Sequence, residues 1–310
     1  MVGMGSILEE AGKTLTPSPL FSTGVLGASL LTLGGSDQQK QTYLPQIVDG
    51  TVTTALALEE SNRHAPHSIE AVAKKSGDNF IISGTKNFVI DGHSSKLLIV
   101  AARTEGEKND ASGITLFLVE SDNQDLEITK TSMVDSRNAA NIKFNDVAVS
   151  SENILGEENN GASVLEVVLD RAQIAISAEM LGNASQAFDL TLQYLKERKQ
   201  FGAVIGTFQA LQHRAAEMYS ELELTKSSVI AACNAVDQNS NDLRRMASLA
   251  KFKSGETNYL ITNEAIQMHG GVGVTDEYDV GLFMKRARVT EQIFGNSEYH
   301  IDRYATLSDY

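Results

Sequence analysis

A block of strand-like patterning, followed by an uninterrupted helical half, is the feature that most constrains the fold of this chain. From Val52 to Ser150, short runs rich in β-branched and aromatic residues are separated by Gly, Asn and Asp at regular spacing. After Gly156, apolar residues recur every three or four positions in four or five long segments. Because strands and helices occupy separate blocks, we expect a compact antiparallel, barrel-like sheet and an antiparallel helical bundle.

The predicted organisation has three parts. Residues 1–51 are expected to form short helices, one ended by Gly34-Gly35 and the next capped by Ser36. Residues 52–152 are expected to form the central β-domain, and residues 153–310 the helical bundle. About eight strand-like runs support the β-domain, among them Thr53–Leu58, Phe80–Ser83, Phe88–Ile90, Leu97–Ala101, Ile114–Val119, Leu126–Lys130 and Ile142–Val149.

Composition and charge narrow the class of protein. A hydrophobic content of 42% with 21% charged residues is typical of a soluble globular chain. The net charge of −14 argues against nucleic-acid and anionic-membrane partners, so an anionic ligand needs a local cationic pocket. The longest apolar stretch, Phe21 to Gly35, is too short to span a bilayer, and no basic n-region of a signal peptide is present. Together with the single Cys233, these features predict a cytoplasmic location.

A cation, two amides and an aromatic ring stand at a break between two helical segments. The first segment ends in Glu197-Arg198-Lys199-Gln200-Phe201-Gly202, and Phe208-Gln209-Ala210 opens the second. We expect Gly202 to break the helix. Arg can bind phosphate oxygens through two parallel hydrogen bonds, which makes this turn a candidate phosphate site. A helix end with a solvated Arg is the alternative that the residues leave open.

A second stretch with glycines closes a later helix and reads Gln267-Met268-His269-Gly270-Gly271-Val272-Gly273. No strand precedes it, so it is not a Rossmann fingerprint, and a C-capping glycine is the simple alternative. Taken with Arg198–Gly202 and Phe208–Ala210, it resembles the hallmark phrases of acyl-CoA dehydrogenases. The run from Gly35 to Pro45 resembles the phrase that precedes the β-domain in that family. Because the helices that usually come earlier are absent, we expect either a naturally short chain or a fragment.

The resemblance implies an acyl-CoA dehydrogenase fold and function: α,β-dehydrogenation of an acyl-CoA thioester, with FAD as hydride acceptor. The chain is expected to form a homo-oligomer, or a hetero-oligomer with a related chain, and FAD is held by this chain or mainly by a partner subunit. Phe88 matches the aromatic residue that packs against the flavin ring. The remaining residues expected to contact cofactor reach the FAD of a neighbouring subunit: Arg198, Gln200, Phe201, Gln209, Gln267, Gly270 and Gly271.

The sequence departs from the family pattern in the β-domain. The stretch Glu59–Ser68 lacks the Thr-Glu-Pro and Gly-Ser-Asp phrases whose groups contact flavin and substrate. Ile90 replaces a hydroxyl that hydrogen-bonds the ring edge, which leaves a polar flavin atom dependent on backbone or water. His64 and His67 stand three positions apart without a third ligand nearby, so no metal is expected.

The catalytic carboxylate is also missing from its usual places. Phe294 falls where most members carry the base, and Ala172 occupies the alternative position. Asp170 and Glu291 are the nearest substitutes, although each also reads as an ordinary helix-surface acid. Three classes therefore stay open: a dehydrogenase with a displaced base, a non-catalytic subunit that completes the FAD site of an active partner, and a homodimer without flavin. We predict little or no activity for the chain alone.

Overall fold

The computed structural model describes residues 1–310 and divides them into two compact units. One unit contains residues 18–172, and the other contains residues 1–17 and 173–310. The predicted boundaries at 51/52 and 152/153 stay a prediction. The helices are α1 (Val2–Lys13), α2 (Ala28–Gly34), α3 (Asp37–Val48), α4 (Gly161–Glu197), α5 (Gln209–Asp237), α6 (Leu243–His269), α7 (Val280–Gln292) and α8 (Ser297–Thr306). None of them is both long and apolar enough to cross a membrane.

The strands of the first unit form one sheet with the order β6-β7-β3-β2-β4-β5-β8, and β1 also pairs with β4. Their bounds are β1 (Thr54–Ala57), β2 (Val72–Ser76), β3 (Asn79–Ile90), β4 (Leu97–Arg103), β5 (Ile114–Glu120), β6 (Leu126–Ser132), β7 (Asn138–Ser150) and β8 (Ile154–Leu155). The sheet is mostly antiparallel and its path is open; β1 and β2 each run parallel to β4. Phe80 and Phe117 pack in its core with ring centroids 5.3 Å apart.

Two strand predictions were wrong in detail. The runs Phe80–Ser83 and Phe88–Ile90 belong to one strand, β3. This strand stays paired with β7 on both sides of two register shifts. These shifts are bulges, which insert unpaired residues without ending the strand. The strand β2 was missed because its Lys-Lys-Ser end faces water and lacks the β-branched run that signals a strand.

The helical unit agrees with the predicted bundle, with breaks after α4, α5 and α6. Its core includes a buried ion pair, in which the Arg286 Nε donates to Glu179 Oε1 at 2.8 Å. One turn further along α4, the Asn183 Nδ2 donates to Asn258 Oδ1 and to the Phe283 carbonyl. Such buried polar pairs specify the register of neighbouring helices, because a shift leaves them without partners.

Ser36 caps α3 as predicted. Its hydroxyl accepts from the Gln39 amide, and the Gln39 side chain accepts from the Ser36 amide. This reciprocal capping box supplies partners for two backbone N–H groups that a helix start otherwise leaves unpaired. The Gln39 Nε2 also donates to the Glu152 and Ile154 carbonyls, so the cap fastens α3 to the end of the sheet.

Candidate functional site

A short hairpin joins α4 to α5 and carries the first predicted phrase. The helix ends at Glu197, earlier than expected, and Gly202 lies in the hairpin turn between β9 (Lys199–Gln200) and β10 (Ala203–Val204). Phe201 and Gly202 have φ values of +56° and +78°. Two successive positive φ angles belong to the tight turn that matches the twist of a hairpin, and glycine adopts that conformation without strain.

The hairpin presents its side chains to solvent. Arg198, Gln200 and Gln209 are exposed, and Phe201 is 90% exposed. The Phe201 ring approaches the Phe208 ring at the start of α5, with centroids 6.3 Å apart. No side chain caps the α5 N-terminus. A cation, two amides and the positive end of a helix therefore lie within one short segment, a combination that can hold an anion.

The second phrase forms the end of α6. Gln267 is exposed, and Gly270 follows the helix with φ +66°. A Cβ placed on Gly270 or on Gly271 would meet no atom within 4 Å. Because space is open there and no side chain intervenes, a ligand can approach the backbone of both residues closely.

The structure brings the two phrases together at one end of the helical unit. Tyr194, one turn before Arg198, stacks on His269, the last residue of α6, with ring centroids 4.3 Å apart. The Tyr194 hydroxyl donates to the His269 carbonyl at 3.2 Å. The C-termini of α4 and α6 and the start of α5 thus share this end. Helix C-termini disfavour anions, so an anion at this end would depend on the positive charge of Arg198 and Lys199.

Phe88 lies in the β-rich unit, at a bulge of β3. The register of β3 against β7 shifts between Lys86 and Val89, and Phe88 has φ +52°. Its N–H donates to the Asn141 Oδ1 at 3.1 Å. The neighbouring Asn87 donates from its backbone N–H to the Glu59 carbonyl and from Nδ2 to the Glu60 carbonyl, both at 2.7 Å. The bulge that presents Phe88 is therefore held from both sides.

The divergent loop between Glu59 and Ser68 contributes an internal polar network. The Lys86 Nζ is fully buried and donates to Glu60 Oε1 at 2.6 Å and to the Leu58 carbonyl at 3.1 Å. Burial lowers the pKa of Lys86, and the charge of Glu60 opposes that shift. The Glu60 carboxylate also accepts the backbone N–H groups of Glu70 and Ala71. These contacts give the Glu60 carboxylate a structural role.

The two histidines of this loop have different carboxylate partners. His64 Nδ1 lies 2.5 Å from Glu59 Oε1, and His67 Nε2 lies 3.3 Å from Glu166 Oε1. No group of three or more His, Cys, Asp or Glu side chains suitable for a metal ion is found in the structure.

The turn after α7 carries no carboxylate. Phe294 and Gly295 have φ values of +52° and +103°, and the segment Ile293–Ser297 contains neither Asp nor Glu. The fully buried Lys251 Nζ donates to the Glu291 and Gly295 carbonyls, each at 2.8 Å. Burial lowers the pKa of Lys251 to about 7, and the charge of Glu291 opposes that shift. Side chains of other helices thus hold the turn in place.

The candidate base positions are buried. Ala172 is fully buried, Phe294 is nearly so, and Asp170 is 2% exposed, whereas Glu291 is half-buried. Gln173 donates from Nε2 to the Phe294 carbonyl at 3.4 Å, and the His300 Nε2 lies 3.0 Å from the same oxygen. The roles assigned to Asp170 and Glu291 stay predictions.

Three residues at these sites were missed from the sequence. Tyr194 precedes Arg198 by one helical turn, a spacing that places both on one face and was available as a signal. His269 stands inside the second phrase but has no feature that predicts its stacking partner. Lys251 is a mid-helix lysine, and its burial depends on residues about forty positions away.

Comparison with known proteins gives a consistent picture. Residues 56–147 match the acyl-CoA dehydrogenase middle domain, and residues 159–306 match the acyl-CoA dehydrogenase C-terminal domain. The chain is 34% identical over 297 residues to the probable acyl-CoA dehydrogenase YngJ of Bacillus subtilis, which covers 94% of this chain and 78% of YngJ. The chain also spans 63% of the short/branched chain specific acyl-CoA dehydrogenase of Bos taurus and 79% of the 3-(aryl)acrylate reductase of Clostridium sporogenes, to each of which it is 31% identical.

Two solved structures share the fold. Butyryl-CoA dehydrogenase from Megasphaera elsdenii has a TM-score of 0.91 at 28% identity, covering 99% of this chain and 80% of that one. The Tcur3481-Tcur3483 steroid ACAD, a G363A variant, has a TM-score of 0.87 at 30% identity, with 99% and 80% coverage. The fold expected from the sequence, with a short N-terminal helical segment, a central β-domain and a C-terminal helical bundle, is confirmed.

Proposed function

This chain belongs to the flavin-dependent acyl-CoA dehydrogenase family, and we propose that it takes part in the α,β-dehydrogenation of an acyl-CoA thioester as one subunit of an oligomer. In this reaction a carboxylate removes the α-proton of the thioester. FAD, when bound, would supply the acceptor for the hydride that leaves the β-carbon, so that the loss of this hydride and of the α-proton leaves an α,β-double bond. The residues of this chain would bind and orient the reactants.

The observation that carries the proposal is the meeting of the two phrases at one end of the helical unit. Arg198 would bind the diphosphate of FAD, and Gln267 with the open backbone at Gly270 and Gly271 would receive the adenosine part. Gln200, Phe201 and Gln209 are exposed beside Arg198 and would complete this surface. These side chains face solvent, so their ligand would belong to a neighbouring subunit.

In the β-rich unit, Phe88 would pack against the flavin ring of the cofactor held by this chain. The bulge fixes the backbone of Phe88 through Asn141 and Asn87, which supports a positioning role. Ile90, half-buried two residues further on, offers no hydroxyl to the ring edge. The segment around Phe88 thus offers fewer side-chain hydrogen-bond donors to a cofactor than the segment around Arg198.

The visible spectrum of the purified protein tests the cofactor, because bound oxidised flavin makes a protein yellow. Arg198→Ala removes a charge-assisted hydrogen bond worth roughly 1.5–3 kcal/mol, or about ten- to a hundredfold in FAD affinity. Arg245→Ala is the matched control, since Arg245 is an exposed arginine at the opposite end of α6, paired with Asp242. Equal FAD retention in all three proteins, with any partner chain present, contradicts the role of Arg198.

A second candidate function is favoured by the turn Ile293–Ser297, which keeps a constrained geometry without a carboxylate. In this alternative the chain is a non-catalytic subunit that supplies Arg198 and Gln267 to the FAD site of a related partner chain. The partner would then carry the glutamate that removes the α-proton.

Turnover measurements separate the two candidates. If the purified chain oxidises an acyl-CoA and Asp170→Asn or Glu291→Gln abolishes this activity, a displaced carboxylate is the base and the chain is a complete dehydrogenase. If activity requires a second, glutamate-bearing chain and both substitutions leave it unchanged, the chain is the helper subunit.

Both candidates require an oligomer, because the exposed surface around Arg198 would serve the cofactor of a neighbour. We propose at least a dimer, and a dimer of dimers as the complete assembly, with Arg198 and Gln267 at the interface. Light scattering at micromolar concentration tests this, and a stable monomer under those conditions contradicts it.

A further inference from the structure

Three aromatic rings lie together at the end of the helical unit that carries Arg198 and Gly270. Tyr194 stacks on His269 with an interplanar angle of 24°. Tyr278, in the segment after α6, meets both rings at steep angles, with its centroid 5.4 Å from that of Tyr194 and 5.2 Å from that of His269. We call these three residues the aromatic cluster. None of them has a role in the proposed function described so far.

Hydrogen bonds determine the orientation of the central ring. The His269 Nδ1 lies 2.7 Å from the Ala265 carbonyl, which can only accept, so Nδ1 carries the proton. The Nε2 is then an acceptor, and it is buried without a protein partner. Burial lowers the pKa of His269, which favours the neutral ring. The stacked Tyr194 ring, the edge contact with Tyr278 and one hydrogen bond therefore hold the His269 ring in place, although its Nε2 has no protein partner.

The cluster connects the two backbone segments that carry the proposed FAD contacts. Arg198 follows Tyr194 by one helical turn, and Gly270 follows His269 directly. The Tyr194 hydroxyl adds a direct bond between the helices, because it donates to the His269 carbonyl at 3.2 Å. The C-termini of α4 and α6 both carry partial negative charge, so proximity between them needs such a cross-link.

We propose that the aromatic cluster is a positioning element that holds Arg198 and the Gly270-Gly271 turn in register for one diphosphate ligand. The inference rests on the proposed function, since the ligand is the diphosphate half of FAD. Its physical basis is pre-organisation: a cation and an open backbone that are already aligned need not be ordered when the ligand binds. Neither Tyr194 nor Tyr278 is required to touch the ligand.

ADP is the probe for the test, because it contains the adenosine diphosphate half of FAD and needs only this end of the chain. Tyr278→Ala removes a ring that is 39% exposed, and we expect ADP affinity, measured by titration calorimetry, to fall about five- to twentyfold. Tyr194→Phe keeps the stack and loses one hydrogen bond, with an expected loss of about two- to fivefold. Tyr259→Ala, which removes an exposed ring of α6 that lies against Arg288, should change affinity less than about twofold.

A double-substitution cycle distinguishes positioning from general stability. In a protein that already carries Arg198→Ala, Tyr278→Ala should weaken ADP binding by a clearly smaller factor than in the parent, because one of the two groups that the cluster aligns is gone. A purely structural role predicts the same factor in both backgrounds, together with a lower melting temperature, and that result overturns the proposal.

The same titrations distinguish an error in the aromatic-cluster proposal from an error in the proposed cofactor surface. If the parent protein binds ADP, Arg198→Ala weakens this binding and Tyr278→Ala does not, the cluster proposal is wrong and the proposed cofactor surface stands. If the parent protein does not bind ADP at millimolar concentration, the cofactor surface and the cluster proposal are both wrong.

Discussion

The buried Lys251 predicts an unusual dependence of stability on pH. Its Nζ is fully buried, donates to the Glu291 and Gly295 carbonyls at 2.8 Å, and has no carboxylate among its hydrogen-bond partners. Burial lowers the pKa of Lys251 from 10.5 to about 7. The unfolded chain keeps this proton up to about pH 10.5, whereas the folded chain releases it near pH 7. Between these values the unfolded state binds more protons, so the free energy of unfolding rises with pH.

The size of the effect follows from the difference in pKa. A shift of about 3.5 pH units corresponds to roughly 5 kcal/mol over the whole window, and about 2.5 kcal/mol of this falls between pH 7.5 and 9.5. Lys251→Met removes the titrating group and leaves both carbonyls without their donor, a loss that does not depend on pH. We therefore expect parent and variant to differ in unfolding free energy by about 2.5 kcal/mol more at pH 9.5 than at pH 7.5.

Urea unfolding followed by circular dichroism, at one protein concentration and the two pH values, measures this difference. Lys253→Met is the matched control, because Lys253 lies two residues along the same helix and pairs with Glu221 near the surface. It should follow the pH dependence of the parent within about 0.5 kcal/mol. Equal slopes for the parent and Lys251→Met would refute the reasoning, since they would show that the folded protein keeps the Lys251 proton throughout this range.

Three further outcomes are expected. Gly295→Ala should lower the free energy of unfolding by more than about 2 kcal/mol in urea, because φ is +103° and the new Cβ would lie 2.4 Å from the Tyr299 ring; an unchanged midpoint contradicts this. Arg103→Lys should cost about 2 kcal/mol or more in thermal unfolding, because the five N–H groups of the buried guanidinium lie within hydrogen-bond distance of six backbone carbonyls, a fork that lysine cannot reproduce. Asn141→Ala should reduce FAD retention about three- to tenfold by releasing the Phe88 bulge, and a stable protein with full flavin content argues against that role.

The sequence predicts those parts of the fold that are determined by residues close together along the chain. Ser36 and Gln39 have the spacing of a capping box and form one. The strand-rich and helical blocks also occur where the hydrophobic patterning predicts them. The missed strand β2 shows the limit of patterning, because its Lys-Lys-Ser end is extended through pairing with β3 and not through its own strand propensity. Arg103 is a similar case, since two of the carbonyls that its guanidinium binds, those of His67 and Ile69, lie 36 and 34 residues earlier in the chain.

The two stretches that resemble cofactor-binding phrases, around Arg198 and Gly270, can be recognised in the sequence for a related reason. Arg198 and Gly270 are exposed and make few internal contacts, so packing does not dictate which residues stand there. The residues that position them, Tyr194 and His269, are buried and read from the sequence as ordinary core and helix-end residues. Sequence patterns therefore predict which groups would meet a ligand, and only the structure shows which side chains pack next to those groups.

The turn after α7 combines both kinds of information. From the sequence, the missing carboxylate reads as loss of a catalytic element. In the structure, Phe294 and Gly295 both have positive φ angles, and the one at the non-glycine residue Phe294 is strained. Lys251, Gln173 and His300 all approach carbonyls of this turn. Strain of this kind costs on the order of 1–3 kcal/mol per residue and persists only where surrounding contacts determine it. Contacts from three side chains to two adjacent carbonyls therefore hold the turn in place, and they support a structural role for this segment beside the prediction that it does not supply the base.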